Sequence, residues 1–305
     1  VIFTVTFNPS LDYIIGLDTF QEGAVNRSQW EHIFPGGKGI NVSMVLKNLG
    51  VRNVALGFLG GFTGKEIQRM VNSFGCYTDF VKIKSGISRI NVKIKSDKES
   101  EINGQGPSIT KKEIKELFEK LDLMKSQDIL VLAGSIPGTL PENTYENIMK
   151  HLENKEIKIV VDATGELLLK VVKYKPFLIK PNKQELSEIF GVTVKNREDV
   201  ILYAKRLQEI GAKNVLVSMA GEGAILIDEN DNIHEMKAPM GLVKNSVGAG
   251  DSMVAGFIAG YLLNSDFEEA FRMGVATGSA SAFSENLATQ TEVLELLSVL
   301  PKKEK

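Results

Sequence analysis

Apolar residues fall along the chain in two alternating patterns. Short continuous runs, Ile2–Phe7, Val54–Phe58, Ile129–Ala133, Ile157–Val161, Phe177–Ile179 and Val215–Val217, have the length and composition of strands buried on both faces. Between them, apolar positions recur at three- and four-residue spacing over 40–49, 64–74, 111–121, 142–153, 165–172, 183–190 and 197–209, which predicts helices. Local punctuation marks several ends. Thr110 with Glu113 forms a capping box, Pro141 suits a first helical turn, and Gly211 suits a helix stop. Further on, strands are predicted near 224–228 and 233–237, and helices over 252–263, 267–283 and 291–298. This alternation predicts an α/β protein with a mostly parallel sheet and helices on both faces.

Two segments leave the rhythm. Residues 12–34 hold short β-like pieces without a helix. In 87–103, Ile90, Val92 and Ile94 alternate with Arg89, Asn91, Lys93 and Lys95, the pattern of a one-sided antiparallel strand. Together they predict a small β-sheet lid inserted into a single domain covering about 1–300, followed by a disordered tail over 301–305. An apolar face on so small a sheet cannot bury itself, so it is expected to pack on a second subunit in a homodimer.

Composition narrows the possibilities. Of 305 residues, 43% are hydrophobic and 24% charged, ample for a packed core, and the formal net charge of −2 disfavours nucleic acid or an anionic membrane as partner. Cys76 is the lone cysteine, which rules out an intrachain disulfide and a cysteine-rich zinc site. His32, His151 and His234 are scattered, without metal-binding spacing. The longest apolar stretch, Met253–Leu263, falls short of the ~18 residues of a membrane span. The opening Val1-Ile2-Phe3-Thr4-Val5 reads as a strand and not as a signal sequence, so a cytoplasmic protein is expected.

The chemistry concentrates in glycine-rich turns. Asn245-Ser-Val-Gly248-Ala249-Gly250-Asp251 precedes an apolar helix, so several backbone N–H groups and the positive end of the helix dipole converge on one spot. Those donors are expected to hold Asp251 ionised. A carboxylate beside such an anion hole suits phosphoryl transfer to a hydroxyl, the hole taking charge on the phosphoryl group and Asp251 taking the proton. In Pro35-Gly36-Gly37-Lys38-Gly39-Ile40-Asn41, paired glycines allow close approach of a ligand, and Lys38 and Asn41 supply a charge and an amide. Gly57–Gly64 reads as a structural strand–helix junction. Asn182 and Glu185, in Lys180-Pro-Asn182-Lys-Gln-Glu185, form a capping box or, alternatively, bring a carboxylate near Mg²⁺. Ser218-Met-Ala-Gly221-Glu222-Gly223 leaves a strand where open α/β sheets bind nucleotides, and a hairpin is the plain alternative. Neither a P-loop nor a GxGxxG fingerprint occurs.

Taken in this order, the motifs resemble those of the ribokinase-like carbohydrate kinases, the PfkB family. The resemblance runs from Asn8-Pro9-Ser10-Leu11-Asp12 through Gly36–Asn41 to Asn245–Ile258. It implies a ribokinase-like α/β/α core and assigns roles position by position. Asp251 would be the catalytic base, with Gly248, Ala249 and Gly250 as the anion hole. Asn182 and Glu185 would organise Mg²⁺. Lys180, Ser218, Gly221, Glu222, Gly223 and Gly250 would line the ATP site. Asp12, Gly37, Lys38 and Asn41 would contact the sugar, Arg89 its existing phosphate, and Arg27 would be a second phosphate contact. Asn245-Ser246 departs from the Asp-Thr of many family members, so that carboxylate is missing here for a monovalent cation.

Within the phosphosugar branch of the family, the resemblance implies ATP-dependent, Mg²⁺-requiring phosphorylation of fructose 1-phosphate at its 6-hydroxyl. Tagatose 6-phosphate and fructose 6-phosphate are alternative acceptors. A non-catalytic sugar-binding regulator is the alternative of a different class. The expected partners are the phosphosugar, ATP and a second copy of the chain.

Overall fold

The computed structural model describes residues 1–301, so the predicted tail beyond Pro301 lies outside the described residues. In chain order the strands are β1 (Ile2–Thr6), β2 (Ser10–Gly16), β3 (Trp30–Gly36), β4 (Asn53–Gly60), β5 (Tyr77–Thr78), β6 (Val81–Ile83), β7 (Arg89–Lys95), β8 (Ser100–Asn103), β9 (Ile129–Ala133), β10 (Lys158–Asp162), β11 (Leu178–Ile179), β12 (Asn214–Ser218), β13 (Ala224–Ile227) and β14 (Ile233–Met236). The helices are α1 (Lys38–Asn48), α2 (Gly61–Ser73), α3 (Lys111–Asp122), α4 (Thr144–Leu152), α5 (Gly165–Val172), α6 (Lys183–Phe190), α7 (Arg197–Ile210), α8 (Ala249–Asn264), α9 (Phe267–Phe283) and α10 (Gln290–Val299).

The main sheet runs in the order β14-β13-β12-β11-β10-β9-β1-β4-β5, with β6 also on β4. It is parallel from β12 to β5, and only β13 and β14 turn back antiparallel. Every residue of β9 is buried, as the continuous apolar run Ile129–Ala133 requires of a central strand covered on both faces. One core lies under α3 to α7, with Leu117, Ile148, Leu168, Leu186 and Leu207; the other lies under α1 and α8 to α10, with Val45, Phe257, Phe271 and Val293. The three-layer α/β/α reading therefore holds.

Helix α8 is apolar all round and buried over Asp251–Gly260, because α9 crosses it closely. A methyl group on Gly256 or Gly260 would strike Thr277 or Ala270. The capping box on α3 and the stop at Gly211 form as the sequence predicts. Pro141 does not sit in the first turn. Helix α4 starts at Thr144, and the Pro141 carbonyl instead accepts the Thr144 hydroxyl.

The lid is a separate four-stranded sheet ordered β3-β2-β7-β8. Strand β7 was expected to be antiparallel. It is antiparallel to β8 but parallel to β2, because a long excursion through the main sheet separates β2 from β7 and brings the chain back in the same direction. Registered pairs share a face, so Ser10, Asp12, Arg89, Asn91 and Lys93 lie on one side and Tyr13, Ile33, Ile90, Val92 and Ile102 on the other. Among the described residues, no helix is long and apolar enough to cross a membrane.

Candidate active site

Strands β1, β9, β10, β11 and β12 all point their carboxyl ends at one edge, the edge where open α/β sheets bind ligands. A cleft of about 1470 Å³ lies there, between that edge, the lid and the start of α8. It is lined by Asp12, Gly37, Lys38, Asn41, Arg89, Lys180, Asn182, Glu185, Ser218, Gly221, Glu222, Gly223, Gly248, Ala249, Gly250 and Asp251, which the sequence had singled out in separate motifs. A second pocket of about 240 Å³ opens beside it; Lys38 and Arg89 line both, and Asn8, Ser135 and Asp162 line the smaller one. Arg27 lines neither. It is exposed on the connection between β2 and β3, so one folded chain does not bring it to the substrate side.

Helix α8 begins at the predicted turn. Gly248 caps it at φ 79°, a left-handed conformation open to glycine at little cost. The first intrahelical bond runs from the Ser252 N–H to the Gly248 carbonyl at 2.8 Å and the Ala249 N–H donates to the Ser246 carbonyl at 3.3 Å, so the N–H groups of Gly250 and Asp251, both lining the cleft, are left without an intrahelical acceptor. Gly37 caps α1 at φ 123°, and a Cβ there would meet Thr6 at 2.6 Å, so this backbone conformation also needs glycine. The cap sets Lys38 and Asn41 on the first turn, opposite Asp251.

Asn41 Nδ2 donates to Asp251 Oδ2 at 2.8 Å. Lys38 Nζ lies 3.2 Å from Asp162 Oδ1, and Lys180 Nζ lies 3.6 Å from the same oxygen. Burial first, and then the charge of Asp162, push the Asp251 carboxyl up to about 6, against the opposing pull of Lys38, Asn41 and Lys180. This corrects the expectation that the helix N-terminus would hold Asp251 firmly ionised, since desolvation outweighs the donors. Burial also pushes Asp162 up, but the charges of Lys180 and Lys38 outweigh it and hold its carboxyl below the ordinary range. Lys38 is depressed by burial and then raised above its usual value by Asp162 and Asp251.

On the lid, Asp12 is held ready. Its Oδ1 accepts from Ser10 Oγ at 2.6 Å and from Asn91 Nδ2 at 3.0 Å, and Lys93 Nζ sits 3.2 Å from Oδ2. Arg89 Nε donates to the Asn8 carbonyl at 3.0 Å, which anchors the guanidinium at the mouth of the small pocket. Across the cleft, Asn182 and Glu185 do form the capping box of α6. Glu185 Oε2 accepts from the Asn182 N–H at 2.8 Å, leaving Oε1 for the cleft. The Ser218–Gly223 segment is both things the sequence allowed, a tight turn between antiparallel β12 and β13 and a cleft wall. Glu222 is turned aside into a 2.8 Å pair with Lys183. Among the described residues, no cluster of three or more His, Cys, Asp or Glu is arranged to hold a metal ion.

Asp162, Ser135, Asn8, Asn91 and Lys93 line the two pockets without any site role being legible for them in the sequence motifs. For Asp162 a signal existed: a carboxylate that closes the apolar run Ile159-Val160-Val161 lands at the carboxyl edge of a buried strand.

The model of the pfkB family carbohydrate kinases matches residues 5–293. The 1-phosphofructokinase of Bacillus subtilis is 48% identical over 297 residues, covering 97% of each chain. The D-tagatose-1-phosphate kinase of Bacillus licheniformis is 36% identical over 288 residues, covering 94% of each. Phosphofructokinase-2 from Escherichia coli, solved in complex with substrates and products, superposes with a TM-score of 0.93 at 27% identity over 99% of both chains.

Proposed function

The chain belongs to the pfkB family of carbohydrate kinases, and on that premise we propose that it transfers a phosphoryl group from ATP to the 6-hydroxyl of fructose 1-phosphate, giving fructose 1,6-bisphosphate and ADP. The placement of Asp251 carries the reading. It stands in the first turn of α8, bonded to Asn41 from the sugar side, and lines the large cleft together with the lid residues Asp12 and Arg89.

In this reading the Asp251 carboxylate accepts the proton of the attacking hydroxyl. A group that titrates near 6 is mostly deprotonated at neutral pH and still basic enough to act. The amides of Gly248 and Gly250 face the charge on the transferred phosphoryl group, while the Ala249 N–H expected beside them donates to the Ser246 carbonyl at 3.3 Å; Lys180, buried beneath them, adds a fixed cation. Asp12, Gly37 and Asn41 orient the sugar. Its existing phosphate fills the small pocket between Lys38, Arg89 and Ser135. ATP lies along Ser218, Gly221 and Gly223, with Met240 and Val243 as an apolar wall for the base.

The residues present fit Mg²⁺ of the kind held mostly by phosphates and water, since one carboxylate oxygen of Glu185, beside Asn182, is left facing the cleft. Bound there, the ion would neutralise phosphate charge during transfer. Ile33, Ile90 and Ile102 are 51%, 40% and 63% exposed on the outer lid face, which suits coverage by a second copy of the chain. ATP and phosphosugars are kept in the cytoplasm, so the reaction belongs there.

Tagatose 1-phosphate is the second reading, favoured by the relative from Bacillus licheniformis and by a phosphate on the same carbon. The test is ADP release from a panel of fructose 1-phosphate, tagatose 1-phosphate, tagatose 6-phosphate and fructose 6-phosphate. Fructose 1-phosphate should give the highest kcat/KM. Release no faster than ATP hydrolysis alone with every sugar would overturn the kinase reading.

A further inference from the structure

We propose that Asp162 is a positioning residue for phosphoryl transfer, the buried anion that holds the ammonium groups of Lys38 and Lys180 together beside Asp251. This inference rests on the reading of Asp251 as the base.

Asp162 ends β10 at the carboxyl edge of the sheet and is fully buried. Both lysines reach its Oδ1 from different elements, Lys38 from the first turn of α1 and Lys180 from the segment after β11. Two ammonium groups drawn to one point, Lys180 buried and Lys38 half-buried, repel each other, and the carboxylate between them offsets that repulsion. Each lysine has a place in the transfer. Lys38 lines both pockets. Lys180 is 5% exposed, and its Nζ would lie 3.1 Å from a Cβ built on Gly250, so its charge sits against the anion-hole turn.

Among the described residues no N–H or O–H reaches Asp162 Oδ2, and the Asp162 carboxyl lies within hydrogen-bond reach of the Asp251 carboxyl. The Asp162 carboxyl therefore meets that of Asp251 directly, and Lys38 and Lys180 act on both. The charged groups facing Asp251 are Asp162 on β10, Lys38 on α1 and Lys180 after β11, joined by the amide of Asn41; Glu185 acts on the same cluster through Lys38. Asp162 is the acidic member of that set that raises the proton affinity of Asp251.

The test replaces Asp162 in the full chain by Asn, which keeps the shape and removes the charge. The Asp251 carboxyl is titrated by ¹³C NMR, assigned by its loss in an Asp251→Asn protein, and kcat is measured against pH. The expected result is a fall of about one pH unit or more in the Asp251 midpoint, a matching shift of the acid limb of kcat/KM, and a kcat lower by about tenfold or more. An unmoved midpoint and acid limb, whether or not the protein loses thermal stability, would overturn the proposal. The titration needs no substrate, so it answers even if the phosphosugar panel fails and the kinase reading falls. Should D162N not fold, Asp162→Glu replaces it, since the adjoining pocket of about 240 Å³ has room for one methylene. D162E is expected to lose about tenfold or more in kcat with KM for ATP little changed. Wild-type kcat in D162E would count against the proposal.

Discussion

Asn41 and Asp251 stand 210 positions apart in the chain, and a 2.8 Å hydrogen bond joins the amide of one to the carboxylate of the other. Each opens a helix through a glycine cap, Gly37 for α1 and Gly248 for α8. The bond therefore ties two glycine turns into one site, with the sugar-side loop on one bank and the anion hole on the other. It also favours the charged form of Asp251 against the effect of burial.

If Asp251 takes the hydroxyl proton, Asp251→Asn should lower kcat by about 10²-fold or more while ATP binding survives. In the wild type, kcat/KM should rise with pH through about 6 and level off above it, because only the carboxylate accepts a proton. Steady-state rates from pH 5 to 8 check both, and turnover near normal in the Asn variant would remove the assignment.

The same residue should weaken the fold at neutral pH. A carboxyl raised to about 6 in the folded protein, against about 3.9 unfolded, contributes stability that is complete below the unfolded value and lost as pH rises through 6. At pH 8, Asp251→Asn should therefore be more stable than wild type by on the order of 2 to 3 kcal/mol. The gap should close as pH falls from 6 to 4. Urea unfolding at pH 8 and pH 4.5 measures it, and an equal difference at both would contradict the burial account.

Arg89→Ala should raise KM for fructose 1-phosphate by roughly ten- to a hundredfold, the cost of a charge-assisted phosphate contact of about 1.5–3 kcal/mol. KM for ATP should change little, because Arg89 lies on the lid side of the cleft, at the small pocket. Unaltered phosphosugar KM would move the sugar phosphate elsewhere.

Glu185→Gln separates metal from cap. The amide oxygen of Gln can still accept the Asn182 N–H, so thermal stability should hold. The Mg²⁺ concentration for half-maximal rate should rise several-fold, as the remaining carboxylate oxygen is lost. An unchanged Mg²⁺ titration would leave Glu185 with a capping role alone.

A charge on the outer lid face should split the dimer. Val92 lies half-buried between exposed Ile90 and the β8 residue Ile102. Val92→Asp should sediment as a monomer under conditions where the wild type sediments as a dimer. A wild type that is itself monomeric at assay concentration would refute the proposed dimer.

The glycine caps, the capping boxes and the alternation of strand and helix were legible in the sequence because each depends on neighbours within a few residues. Gly248 and Gly37 fit left-handed or crowded backbone, Thr110 and Asn182 find their hydrogen-bond partners one turn away, and a five-residue run such as Ile129–Ala133 has the length and β-branched content of a covered strand. The motif order then pointed to one cleft. Tertiary structure alone decided which charges meet in it. Asp162 pairs with Lys38 and Lys180 because β10 lies two places from β1 and directly beside β11, an order that no local period encodes. The direction of β7 followed from the path of the chain through the main sheet, not from its alternating pattern, which is the same for parallel and antiparallel strands. The raised proton affinity of Asp251 likewise came from burial and a carboxylate 89 positions away, since desolvation and charge act through space and not along the chain.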